Sequence, residues 1–175
     1  GNILAKMLGL TFLFPRAGMA MREWDHRESR RVDQVMGAYF LVRRSVFEAL
    51  GGFDPRFLVY FEDVDFALRA RQAGWFSHYL AGARIHHAGG GTTRNIKARR
   101  LFYFLRSRIL YAGKHFSLPG AVMHMALTLT LEPLARLLFA LGRGRLADAG
   151  DVFQAASLLW RDLPGMLAGL RRGVQ

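Results

Sequence analysis

Three observations in this sequence predict an α/β fold followed by a mostly helical, amphipathic tail. The run QVMGAYFLVRR (34–44) is continuously apolar and of strand length, as expected for a strand buried on both faces. The stretch EDVDFALRARQAG (62–74) puts acids in its first turn, arginines later and Gly74 at its end, the order that the helix macrodipole favours. From Lys97 onward the pattern is helical, and a composition shift near residue 115 divides a mixed region (1–115) from an all-helical, more apolar one (116–175).

The elements read in order as follows. Residues 1–33 open with the apolar ILAKMLGLTFLF and continue into the charged REWDHRESRRVD, an exposed loop. After the 34–44 strand, SVFEALGG is a short helix with Ser45 as N-cap, Glu48 as its capping-box partner and Gly51 as its stop. FDPRF is a turn, and 62–74 is the second helix. WFSHYL and ARIHH are short strands separated by Ala81 and Gly82, and AGGGTTRN is a glycine-rich loop. The helical stretch IKARRLFYFLRSRILYAGKHF is followed by PGAVMHMALTLTLEPLARLLFALG and by a last apolar helix around VFQAASLLWRDL.

A chain of 175 residues with 51% hydrophobic and 22% charged residues has the means to bury a core. It contains no cysteine, which excludes disulfides, thiolate metal sites and cysteine nucleophiles and is compatible with a reducing cytosol. It starts at Gly1 with no signal-like order of regions, and it reads as a piece of something longer. The net charge of +12 points to an acidic partner: nucleic acid, anionic lipid or a phosphorylated small molecule.

Against that charge, Glu62, Asp63 and Asp65 stand together, with no further acid until Glu132. Asp65 has a structural reading, at a helix start and four residues before Arg69. Glu62 and Asp63 abut the apolar VYF, which could desolvate a carboxylate and raise its pKa toward the range of a general base. Downstream, His86 and His87 point to opposite faces if they end a strand; each is either a packed histidine or a ligand. The glycines and threonines that follow, Gly90 and Thr92 among them, could bring backbone N–H groups to phosphate oxygens, although the loop lacks a P-loop lysine. A neutral imidazole there could complete the coordination of a divalent metal.

Segment 94–115 carries Arg94, Lys97, Arg99, Arg100, Arg106, Arg108 and Lys114 without one acid, interleaved with Phe102, Tyr103, Phe104 and Tyr111. On paper this is a nucleic-acid stacking surface or an amphipathic helix on anionic lipid. The uncharged Phe116–Leu131 that follows favours lipid, but it is shorter than the roughly 20 residues of a spanning helix. An interfacial or re-entrant membrane contact is expected, against the plainer reading of a buried helical hairpin.

The order of features from VDQVMGAYFLVRR through GGFDPRFLVYFEDVDFALRARQAGW to ARIHHAGGGTT resembles the C-terminal half of the catalytic domain of family-2 inverting glycosyltransferases, in particular the bacterial rhamnosyltransferase-like members. The match covers about residues 33–93. The resemblance implies a GT-A domain, of which 1–115 would be the acceptor-side part and 116–175 a membrane-associating tail. It implies Asp63 as catalytic base, with Glu62 as second choice, and His86 rather than His87 near the donor pyrophosphate and a Mg or Mn ion. Asp33, Gly37 and Ala38 would line the acceptor side. The implied partners are a nucleotide-sugar donor, a glycan or polyprenyl-pyrophosphate-linked acceptor and an anionic membrane surface, with no nucleic acid. The implied location is the inner face of the cytoplasmic membrane, as a peripheral cytoplasmic protein.

One departure from the family pattern is that no D-x-D metal motif precedes residue 63, and DVD at 63–65 belongs to the E-D element. This stretch alone is therefore expected to be inactive, its donor-binding half being absent. The rival reading is a non-catalytic module, derived from such an enzyme, that binds membrane or a partner.

Overall fold

The structure is a computed structural model that describes residues 24–87 and 96–172. Two short strands, β1 (Arg30–Val32) and β2 (Ser77–Tyr79), pair antiparallel with Arg31 opposite His78. The helices are α1 (Arg44–Ala49), α2 (Glu62–Gln72), α3 (Lys97–His115), α4 (Leu118–Leu129), α5 (Leu131–Gly142) and α6 (Leu146–Arg172).

The sequence reading holds for α2, whose stop is Gly74 at φ +87, a left-handed conformation glycine adopts without cost. It holds for the α3 helix and for the central residues of WFSHYL. It fails at 34–44. A strand buried on both faces needs hydrogen-bonding neighbours on both edges, and none lies alongside among the described residues. The chain there forms a 3-10 turn at Gly37–Tyr39 between extended residues, with Met36, Tyr39 and Leu41 exposed. ARIHH likewise forms no strand. The capping box expected for α1 is also absent: the N-cap is Arg43, and Glu48 instead accepts from Arg44 Nε at 2.7 Å.

The core joins the loop before α2 to the helical layer. Phe57 and Phe61 pack with Leu105, Ile109, Leu110 and Tyr111 of α3, Leu129 of α4, and Leu159 and Met166 of α6. This core runs across residue 115, where the composition shifts. A second aromatic cluster, Phe40, Phe47, Phe53 and Phe66, seats the 3-10 turn and α1 on α2.

Helix α4 gives way to α5 at Thr130. Pro133 has no N–H for the carbonyl of Leu129, so one continuous helical ladder cannot form. Buried Glu132 sits at this break, bonded to buried Arg108 of α3 and to Arg136, while Arg108 also donates to Thr128 Oγ1 at 3.1 Å. By length and composition Leu118–Gly142 could cross a membrane, and only 22% of its most apolar stretch is buried within the protein.

Candidate active site

Tyr60 and Phe61, directly before α2, have φ of +69 and +70. Bulky side chains rarely adopt this conformation, which costs roughly 1–3 kcal/mol per residue and persists only where surroundings enforce it. Here they do: Phe104 meets Tyr60 and Phe61 at centroid distances of 5.8 and 5.7 Å, and Tyr111 meets Phe61 at 5.4 Å. Ser107 Oγ donates to the carbonyl of Val59 at 2.8 Å, and Arg106 to that of Arg56 at 2.9 Å. Helix α3 thus clamps the strained turn that aims Glu62 and Asp63.

The two carboxylates stand in different surroundings. Asp63 Oδ1 accepts from the N–H of Val64 and Oδ2 from that of Gly37, each at 2.8 Å. A Cβ at Gly37 would meet Asp63 Oδ2 at 3.4 Å, so the absence of a side chain there keeps this oxygen open. Glu62 Oε2 is buried with no hydrogen-bond partner among the described residues. Burial first, and the neighbouring Asp63 charge after it, push the Glu62 pKa up. The desolvation expected from VYF therefore falls on Glu62.

Asp65 is wholly buried, as an anchor. Its oxygens meet Arg69 Nε at 2.8 Å and both Lys114 Nζ and His115 Nε2 at 2.7 Å. Arg69 continues to the carbonyls of Leu50 and Gly52, and Lys114 to Asp54 at 2.7 Å. Burial raises the Asp65 pKa, but the bonds from His115, Lys114 and Arg69 outweigh it and hold the carboxyl at about 2. The sequence reading of Asp65 as a structural partner of Arg69 agrees with this; the parts of Lys114 and His115 were missed. The available signal was the scarcity of acids, since a buried carboxylate in a basic chain must collect cations.

The same holds along segment 94–115. Lys97 pairs with Asp148, Arg106 with Asp162, Arg108 with Glu132 and Lys114 with Asp54 and Asp65. Phe104 and Tyr111 face the core turn. Most of this stripe serves internal contacts and not an external acidic partner.

The remaining site residues are dispersed. Gly37 and Ala38 lie in the 3-10 turn, the former on Asp63. Asp33 instead pairs with Arg71 at 2.8 Å, eight residues or about 12 Å of helix beyond Asp63. His86 and His87 are exposed; Gly90 and Thr92 lie outside the described residues. Among the described residues no group of three or more His, Asp or Glu side chains could hold a metal ion, and His86 has no hydrogen bond or ion pair. These side chains do not by themselves fit a divalent metal.

The family profile described as "Glycosyltransferase like family 2" matches residues 14–106, just over half the chain. The chain is 38% identical over 87 residues to an N-acetylglucosaminyl-diphospho-decaprenol L-rhamnosyltransferase of Mycobacterium tuberculosis, a match covering 49% of this chain and 28% of that protein. It is 31% identical over 83 residues to rhamnosyltransferase WbbL of Escherichia coli, covering 47% of this chain and 31% of the relative. The matched part thus spans less than a third of either relative. No solved structure matches the chain significantly. The chain belongs to the family-2 glycosyltransferases and is rhamnosyltransferase-like within it. Membership implies a GT-A fold; the described residues themselves form helices and one sheet of two short strands.

Proposed function

We propose that this chain carries the base and acceptor side of a glycosyltransferase that moves a sugar, rhamnose in the first instance, from a nucleotide donor to a polyprenyl-diphosphate-linked glycan with inversion. The observation that carries the reading is the Glu62–Asp63 pair, aimed by a clamped, strained turn and fastened to Gly37. Asp63 is the base: it takes the proton of the acceptor hydroxyl as that oxygen attacks the anomeric carbon. The bond from that carbon to the donor phosphate breaks, and the electron pair leaves with the nucleoside diphosphate. The two backbone N–H groups fix the carboxylate without occupying all its lone pairs. Gly37 and Ala38 border the acceptor; His86, with His87, Gly90 and Thr92, is assigned to the donor phosphates.

A second reading makes Glu62 the base, favoured by its buried, unpartnered oxygen and raised pKa. The acceptor's lipid and the exposed apolar side chains of α4 to α6 support a location at the inner face of the cytoplasmic membrane, with Leu138, Phe139 and Phe153 at the bilayer.

The test is transfer by the full-length protein from labelled nucleotide sugars to N-acetylglucosaminyl-diphospho-prenol, with product stereochemistry read by NMR. An inverted rhamnosyl product supports the reading. A protein that binds the lipid acceptor and turns over no donor is instead the non-catalytic module.

A further inference from the structure

A groove of about 380 Å³ opens between Tyr60, the first two turns of α3, α5 and the first turns of α6. Its walls differ in chemistry. Lys97, Arg100 and Arg136 supply cations from α3 and α5, while Asp148 and Asp151 supply carboxylates from α6. Lys97 is paired with Asp148 and Arg136 with Glu132. Arg100 and Asp151 are each half-buried and make no hydrogen bond or ion pair among the described residues, with each other included. A half-buried guanidinium and a half-buried carboxylate on separate walls, both still in reach of water, can exchange that water for a ligand's acceptor on one side and its donors on the other.

The position of the groove narrows the ligand. Tyr60 stands two residues before Glu62, on the strained turn that aims the carboxylate pair. On the other side, α5 carries Arg136 into the groove and exposes Phe139 one turn further along the same helix. Across the groove the cations of α3 and α5 face the carboxylates of α6, with Tyr60 at one end. Sugar hydroxyls suit the carboxylates, a diphosphate suits the cations, and the exposed apolar side chains of α5 suit a prenyl chain.

We propose that this groove is the acceptor's headgroup site, with Arg100 as principal diphosphate contact and Asp151 accepting hydrogen bonds from the acceptor sugar. The proposal rests on the acceptor class of the preceding subsection.

The test is equilibrium binding of a water-soluble, short-chain prenyl diphosphate bearing N-acetylglucosamine to the full-length protein, which reads the groove whether or not transfer occurs. Arg100→Ala is expected to weaken binding about ten-fold or more, the usual scale for a charged hydrogen bond, with Arg100→Lys recovering part of it. Arg99→Ala, which removes an exposed charge not lining the groove, is expected to leave binding unchanged. Equal loss from Arg99→Ala would mean diffuse attraction and overturn the proposal. So would no loss from Arg100→Ala, or a loss confined to nucleoside diphosphate or to anionic vesicles free of acceptor. Transfer in the same protein tests the base assignment separately, so an inactive enzyme that still shows the Arg100 effect sinks the activity reading and keeps the groove.

Discussion

The backbone N–H of Gly37 donates to Asp63 Oδ2 at 2.8 Å, across 26 positions of sequence. A 3-10 turn and the start of α2 thereby meet at a carboxylate. A side chain begun at Gly37 would stand in ordinary contact with that oxygen, filling space otherwise open to a substrate hydroxyl. Gly37→Ala is therefore expected to fold normally, with a melting temperature near that of the unmodified protein. Turnover should fall about ten- to a hundred-fold through misplacement of the acceptor. Parallel melting curves and steady-state kinetics check both halves.

Asp65→Asn should act in the opposite way, through stability. It leaves Lys114 and Arg69 facing a buried amide, and breaking a buried ion pair by removing one partner costs about 3–5 kcal/mol. Urea denaturation should show that loss, while Asp63→Asn, whose carboxylate meets only backbone N–H groups, should lose far less.

Stability should fall with acid in two stages. His124 is buried, and burial first, then the Arg108 charge, lower its pKa to about 4. The unfolded chain binds that proton near pH 6.5 and the folded one does not, so the contribution is complete above about pH 6.5 and declines toward 4. Asp65, held at about 2, contributes above its unfolded value near 3.9 and loses that contribution as pH falls toward 2. Urea midpoints should hold from pH 7.5 to about 6.5 and decline from there to pH 3, and His124→Phe should flatten the upper stage.

The Arg108–Glu132 pair offers a sharper comparison. Glu132→Gln alone should destabilise by about 3 kcal/mol or more, because it leaves Arg108 buried and unpaired. Replacing Arg108 by Met and Glu132 by Leu together should recover most of that loss, since apolar residues of similar volume often substitute for a buried pair without cost. Chemical denaturation of the two variants decides it.

Membrane attachment is best tested by point charges. Removing residues 97–175 would strip α3 and α6 from the core and unfold what remains. Leu138→Glu with Phe139→Glu alters exposed positions and should release the full-length protein from anionic vesicles in flotation, with its melting temperature kept.

Part of the local structure around the candidate site could be read in advance, and the failures have physical causes. Helix α2 was legible because its acids, arginines and terminal glycine all agree with one dipole and one stop. The E-D pair was legible from its motif, and its desolvation from VYF. The 34–44 segment misled because composition records a strand's two buried faces but not whether neighbouring strands lie beside it. The basic stripe misled for a related reason: Lys114 and Arg108 find their carboxylates 49 and 24 positions away, at Asp65 and Glu132, beyond any local pattern. Tyr60 and Phe61 gave no sign of positive φ, because bulky residues adopt it only under tertiary constraint.

The central claim is that Asp63 takes the acceptor proton. Its most direct measurement is single-turnover sugar transfer by the full-length protein carrying Asp63→Asn, with donor binding measured on the same sample. The account predicts at least a hundred-fold loss of the transfer rate with donor affinity retained, and a much smaller loss for Glu62→Gln. Undiminished transfer by Asp63→Asn, with the loss falling on Glu62→Gln instead, would contradict it.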